Sequence, residues 1–460
     1  MIALARVAAF DILGAVAAGR ADLPSAIARS RTRLDDDRDK SLAAEIATGV
    51  ERWRGTLDYL IEAAAARRID RLDPEITTIL RLSLYQLLHL TRVPAAAVVN
   101  DAVELARRAK KRSASGFVNG VLRSLSRKRS ALPLPPRPAG DDDRAGALDY
   151  LSITLSHPRW LASRWYDRYG FENTERWLQF NNVQPRLTLR ANGPKVTREQ
   201  LADQLVQCDI QVTPGRFLPD AFIVEAGQPL RVMEDGWLVV QDETSQLVSL
   251  LVDARAGARA LDCCASPGGK TTAMATAMAD EGLIVACDVR PKRVELLKRT
   301  VAASGSRSVR IVQADALRPL PFSAAFSRVL LDAPCSGLGT LRRDPDIRWR
   351  RREEDLPVLA SAQSQMLAHA AACVAPGGRL IYATCSSEPE ENEHIVEGFM
   401  RADKSFGPVD ARAIVTVPEV VDQQGYLRTL PHRHGLEAFF GAVLERRPQS
   451  VASAFRRTSG

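Results

Sequence analysis

The sequence predicts a multi-domain protein: an all-α N-terminal domain, a small α+β middle module and a doubly wound α/β domain. Three observations predict it. Residues 1–130 are rich in Ala, Leu and Arg and sparse in glycine, and their apolar residues recur at spacings of three and four. The run Leu132-Pro133-Leu134-Pro135-Pro136-Arg137-Pro138, followed by Ala139-Gly140 and three aspartates, marks a linker over 131–150. Beyond Gln241, short apolar runs alternate with helical stretches, the pattern of a parallel sheet covered by helices.

The N-terminus, Met1 to Ala18, carries Arg6 and Asp11 and lacks a basic leader region, so it reads as an amphipathic helix and not as a signal peptide. Arg81 to Leu88 lies in a helix that stops before Pro94. Ala96 to Ala109 forms another, ending in Arg107, Arg108, Lys110, Lys111 and Arg112. Cations there suit the negative end of a helix dipole, and they suit phosphates equally. Gly116 to Leu125 is a third helix and runs into Arg127-Lys128-Arg129. The module over 151–240 combines a helix at Arg159–Tyr169, an alternating strand at Arg186–Arg190, a helix at Thr197–Cys208 and short strands to Val240. In the third domain, 241–447, strands are expected at Ala260–Cys264, Leu283–Asp288, Val309–Gln313, Arg328–Asp332 and Arg379–Thr384. Helices are expected at Pro291–Ala303 and Leu356–Val374. Residues 448–460 read as a tail.

No run of eighteen apolar residues occurs, so no membrane span is expected. The seven cysteines are scattered without metal-type spacing, which fits a reduced, cytoplasmic setting and no metal. The net charge is +8. Residues 1–130 hold 23 Lys and Arg against 15 Asp and Glu, so this part carries the whole excess. Either it is a solvated basic surface or it docks a polyanion such as RNA.

The first strand of the third domain runs into Asp262-Cys263-Cys264-Ala265-Ser266-Pro267-Gly268-Gly269-Lys270-Thr271. A glycine-rich strand-to-helix turn lets a ligand approach the backbone, although a plain tight turn reads the same way. The second strand ends at Asp288, suited to ribose hydroxyls, and the third at Asp315, suited to an adenine amino group. Each acid alone reads equally as a helix cap. Together, without a phosphate-cradling lysine–serine pair, they favour S-adenosylmethionine over a nucleotide.

The fourth strand ends Asp332-Ala333-Pro334-Cys335-Ser336-Gly337, and the fifth Thr384-Cys385-Ser386-Ser387. Two cysteines thus follow neighbouring strands at one rim, in polar, turn-prone sequence. Cys208, Cys287 and Cys373 read as inert buried thiols. A thiolate near a helix N-terminus is a good nucleophile. Methylation of cytosine at carbon 5 needs such a group: addition of a thiolate at carbon 6 makes carbon 5 nucleophilic. Charge then builds on N3, where an acid such as Asp332 lowers the barrier. A second thiol would assist release.

These motifs together resemble the RsmB (Sun, Fmu) subgroup of RNA cytosine-C5 methyltransferases, over nearly the whole chain. Gln241-Asp242-Glu243-Thr244-Ser245-Gln246 also matches. Residues 1–130 resemble a NusB-type RNA-binding domain, through Val99 to Ala106 and Gly116 to Arg123, and the middle module resembles an RNA-recognition fold. The resemblance implies a Rossmann-like methyltransferase domain, 16S rRNA as substrate and a monomer. It implies that Cys385 is the nucleophile and that Cys335 promotes product release. It implies that Cys264, Ala265, Ser266, Pro267, Gly268, Gly269, Lys270, Asp288, Arg293, Asp315 and Asp332 bind the cofactor, with Asp332 also facing the base. The chain departs from the pattern at Ser266, where alanine is usual, and at Glu437-Ala438-Phe439-Phe440, where Asp-Gly usually precedes the aromatics. It departs again at Asp344, where histidine is common, within an arginine-rich stretch from Arg342 to Arg352, a change that bears on RNA contacts. Competing readings are a DNA cytosine methyltransferase, the same chemistry on another RNA, and a non-catalytic RNA-binding assembly factor.

Overall fold

The structure, a computed structural model, describes residues 2–139, 143–233 and 236–448. The expected tail beyond Pro448 lies outside the described residues. The chain divides into two compact units: Met1–Gln184 with Leu341–Glu353, and Pro185–Thr340 with Glu354–Gly460. Among the described residues no helix is long and apolar enough to cross a membrane.

The first unit is helical. Its N-terminal part has helices Leu4–Ala17, Leu23–Arg31, Asp37–Ala65, Pro74–His89, Ala95–Arg108 and Ser115–Arg127. Their limits follow local chemistry. Asp22 accepts from Ser25 N to start one helix, Asp36 from Arg38 N to start the next, and Pro74 occupies a first-turn position whose N–H is not needed. Leu57, Leu60, Ile61, Ile79, Leu80, Leu105 and Leu122 are fully buried in one core. Each such leucine or isoleucine contributes roughly 1.5–3 kcal/mol.

The expected linker is partly folded. Leu132 and Leu134 pack on this core, and Arg144–Asp149 forms a helix capped by Asp143. Arg137 binds Glu175 and Glu172. The helices Arg159–Tyr169 and Phe171–Asn182 group with this unit by their contacts, and Trp165 and Trp177 stack between them at 4.3 Å.

The segment 341–353 also belongs here, although it follows the Pro-Cys motif in sequence. Arg348 is fully buried and donates to the carbonyls of Arg52, Ser156, Asn181 and Leu341 and to Asn182 Oδ1, at 2.9–3.3 Å. Burial, with Arg52 close by, pulls its pKa down to about 9. Trp349 Nε1 donates to Glu51 O at 2.6 Å, and Asp346 accepts from Leu23 N. Within this arginine-rich stretch, Arg348 is therefore a buried structural residue.

The second unit holds two sheets. The smaller has strands β1 Thr188–Ala191, β2 Gln211–Pro214, β3 Phe222–Ala226 and β4 Leu238–Val240, in order β2-β3-β1-β4 and antiparallel. The helix Arg198–Gln207 packs on it, opened by a Thr197/Gln200 capping box. Cys208, at the end of that helix, is half-buried and not buried as expected.

The larger sheet has β5 Arg259–Asp262, β6 Leu283–Asp288, β7 Val309–Gln313, β8 Phe326–Asp332, β9 Val374–Thr384, β10 Phe406–Val409, β11 Leu427–Thr429 and β12 Phe439–Arg446. The order is β10-β12-β9-β8-β5-β6-β7, with β11 beside β12. Strands β5 to β9 are parallel, as alternation with helices requires. Beyond the parallel part, β12 runs antiparallel to β9, and β10 and β11 antiparallel to β12, so the sheet as a whole is mixed. Alternate residues face two cores. Ala260, Ile284, Leu330 and Ile381 lie in one, and Leu261, Val285, Leu331 and Tyr382 in the other. Strand order reverses about β5, which opens a crevice at the carboxyl ends of β5 and β8.

Candidate active site

At the end of β5, Asp262 is buried and accepts from Thr271 Oγ1 at 2.7 Å. Burial pushes its pKa up to about 7, against the opposing Thr271 bond. The turn that follows contains Gly268 at φ +110, a conformation that favours glycine, and a Cβ there would press on Leu297 at 3.0 Å. Cys264 is half-buried and its thiol is pushed upward by burial and by Asp262. Asp288, at the end of β6, accepts from Ser266 N at 3.3 Å, and Arg293 reaches Asp288 at 3.4 Å and Ser266 O at 2.7 Å. Ser266 therefore ties the turn to the second acid. Asp315, beyond β7, accepts from Leu317 N at 3.0 Å. Among the described residues, Ser266 Oγ and Asp262 Oδ1 are buried without a hydrogen-bond partner.

Lys270 sits differently from the rest of the turn. Its ammonium lies 2.6 Å from Asp332 Oδ2 at the end of β8, so it links the β5 turn to the thiol rim. Arg190, from β1, is buried and donates to Gln241 Oε1, Gly269 O and Thr272 Oγ1 at 2.6–2.8 Å. The smaller sheet thus braces the turn, a role that sequence reading missed because Arg190 stands in an ordinary alternating strand.

Beyond β8 and β9 the two loops bring Cys335 and Cys385 together, with their sulfurs 3.1 Å apart. The Cys335 thiol is pushed well up by its hydrogen bond with Cys385 and by burial. Gly339 N donates to Cys385 O and Ala438 N to Gly339 O, both at 3.0 Å, so the Glu437–Phe440 segment is stitched to the thiol loops despite its departure from the family pattern. A buried glutamate, Glu391, stands behind both loops. Sequence reading gave it no role; a signal was available in the acids that closely follow the Thr-Cys motif. On the first unit, Arg107, Arg108, Lys110 and Arg112 are exposed, whereas Lys111 is half-buried against Asp73 and Glu75 at 3.0 and 3.7 Å.

Comparison with known proteins matches these parts separately. Residues 249–445 match the family 16S rRNA methyltransferase RsmB/F, residues 3–127 the NusB family, and residues 157–231 the RsmF/B-like ferredoxin-like domain. The chain is 32% identical over 400 residues to ribosomal RNA small subunit methyltransferase B of Pseudomonas putida, covering 86% of this chain and 88% of that protein. It is 34% identical over 370 residues to the Escherichia coli protein of the same name, covering 79% and 82%. The solved structure of PH0851 superposes with a TM-score of 0.80 at 25% identity, over 97% of this chain and 99% of that one. With its helical, ferredoxin-like and methyltransferase parts in this order, the chain belongs to the ribosomal RNA small subunit methyltransferase B family.

Proposed function

We propose that the protein transfers the methyl group of S-adenosylmethionine to carbon 5 of a cytosine in 16S rRNA, through a bond between Cys385 Sγ and carbon 6 that is resolved with the help of Cys335. The observation that carries this reading is the pair of sulfurs 3.1 Å apart, past the carboxyl ends of the parallel strands β8 and β9, the first of which ends at Asp332. When bound, S-adenosylmethionine supplies an electrophilic methyl group. The residues present fit that molecule: Asp288 and Asp315 end adjacent strands, and Ser266 Oγ and one Asp262 oxygen are buried acceptors without a partner among the described residues. Ala265 to Gly269, Arg293 and Cys264 complete the cofactor side.

Cys385 adds through its sulfur to carbon 6, which makes carbon 5 nucleophilic. Asp332 enters the step as the acid: its free oxygen gives its proton to N3 as electron density arrives there, and the carboxylate left behind stays paired with Lys270. Once carbon 5 is methylated, its proton passes to solvent water, the electrons of that C–H bond re-form the carbon 5–carbon 6 double bond, and the Cys385–carbon 6 bond breaks with its electron pair returning to sulfur. Cys335, in contact with Cys385, assists this release. The exposed cations Arg107, Arg108, Lys110 and Arg112 support docking of RNA phosphates.

Bisulfite sequencing of 16S rRNA from cells with and without the protein tests the reaction, and one lost methylcytosine is expected. Cys385→Ala abolishes transfer, and Cys335→Ala accumulates an enzyme–RNA adduct that survives a denaturing gel. Full activity of Cys385→Ala overturns the reading.

A further inference from the structure

Arg190 is a buried cation without a counter-ion. Its guanidinium donates to Gln241 Oε1 at 2.6 Å, Thr272 Oγ1 at 2.7 Å, Gly269 O at 2.8 Å and Ala191 O at 3.2 Å, all of them uncharged oxygens. Among the described residues no carboxylate pairs with it. In the same unit Lys270 has Asp332, Arg328 has Asp253, and Arg428 has Glu393 and Asp422. A buried charge is costly unless an opposite charge compensates it, and neutral acceptors compensate only in part.

The order of the strands shows where an anion could come from. Along β7-β6-β5, Asp315 follows the first strand, Asp288 ends the second and the glycine turn follows the third. With adenine at Asp315 and ribose at Asp288, the amino-acid end of S-adenosylmethionine, which carries a carboxylate, comes to the turn. Helix Gly269–Ala277 begins there, and the first N–H groups of a helix have no partner within it. Gly269 O, which Arg190 holds, belongs to the same peptide group as Lys270 N–H. A cation on that oxygen polarises the group and makes its N–H a stronger donor.

We infer that Arg190 is a positioning residue for the carboxylate of the cofactor: it fixes the turn and supplies, through the Gly269–Lys270 peptide group, the positive charge that the carboxylate balances. This rests on the reading of the turn as the S-adenosylmethionine site. The alternative is a purely structural brace, as Arg348 is in the first unit.

The test is equilibrium binding, by calorimetry on the full chain, of S-adenosylhomocysteine and of its decarboxylated analogue, which lacks only the carboxylate. Gln241→Glu sets a carboxylate where Gln241 Oε1 now accepts from Arg190, and it keeps the guanidinium and its bonds to the turn. It weakens S-adenosylhomocysteine by about tenfold, the order expected when a charge near a buried ligand charge is cancelled, and leaves the analogue within about twofold of native. Arg190→Gln shows the same difference between the ligands, and Arg190→Lys recovers part of the loss. If the Arg190 variants do not fold, Gln241→Glu decides alone. An equal loss for both ligands in Gln241→Glu, or no loss for either, overturns the proposal. Native protein that binds neither ligand overturns the reading of the turn itself, and the proposal with it.

Discussion

Lys270 Nζ and Asp332 Oδ2 form an ion pair that joins the β5 turn to the end of β8. Burial by itself would lower the lysine pKa, and Asp332 more than offsets it, so the pKa is raised. A cation raised in the folded state contributes stability below its ordinary value of 10.5, and that contribution is lost as pH rises through the folded value. Asp332→Asn leaves the ammonium buried without its carboxylate. We expect a loss of about 2–4 kcal/mol at pH 8, measured by urea unfolding, and a difference from native that shrinks as pH rises through the raised lysine pKa.

Asp262 titrates with the opposite consequence for its own substitution. Its folded pKa is about 7, above the ordinary 3.8, chiefly through burial. The folded protein therefore favours the protonated acid, and stability from this group is present below pH 4 and lost as pH rises toward 7. Asp262→Asn has no such slope. Relative to native, the variant gains about 2 kcal/mol between pH 5 and pH 7, at no more than about 1.36 kcal/mol per unit. Paired denaturation curves at the two pH values check this, and parallel curves count against it.

Gly339 has no room for a side chain. A Cβ there would lie 1.9 Å from Ala438 O and 2.8 Å from Cys385 O, both backbone atoms. Gly339→Ala must push the thiol loop away from the β12 approach. Misplacement by an ångström costs on the order of 100-fold in rate. Single-turnover methylation of transcribed 16S rRNA should fall by that factor while the circular dichroism spectrum is retained.

The basic end of helix Ala95–Arg108 divides into exposed cations and one that is paired within the domain. Arg108, Lys110 and Arg112 are exposed, whereas Lys111 bridges Asp73 and Glu75. Replacing the first three by Gln should flatten the dependence of log affinity on log salt by about 0.7–0.9 for each phosphate that is no longer neutralised. Lys111→Gln should leave that slope nearly unchanged. Filter binding of 16S rRNA fragments across a salt series separates the two.

Much of this is legible in the sequence, for physical reasons that also explain the misses. β6 reads at its observed ends because a continuous apolar run closed by Asp288 leaves one assignment, and β7 does so because Val309, Ile311 and Val312 stand between polar residues despite Arg310. β9 begins at Val374 and not Arg379, because Pro376-Gly377-Gly378 reads as a break although the strand continues through it. The two cysteines are visible as strand-end thiols, but their contact depends on how two loops meet. Glu391 is hidden for the same reason: its four donors come from three separate segments. Arg348 is misleading because an arginine among arginines looks like surface, and only the fold supplies five oxygens to a buried guanidinium.

That loop sets a limit on how the protein can be cut or shuffled. Thirteen residues from Leu341 to Glu353 interrupt the second unit's sequence and fold with the first. A fragment beginning at Pro185 keeps the Arg348 guanidinium and the Trp349 indole but loses the oxygens of Arg52, Ser156, Asn181, Asn182 and Glu51 that they bind. A fragment ending at Gln184 keeps those oxygens and loses the donors. Neither half inherits a complete interior, so the methyltransferase portion is not a cassette that recombination could graft onto another helical domain without carrying its cognate helices along.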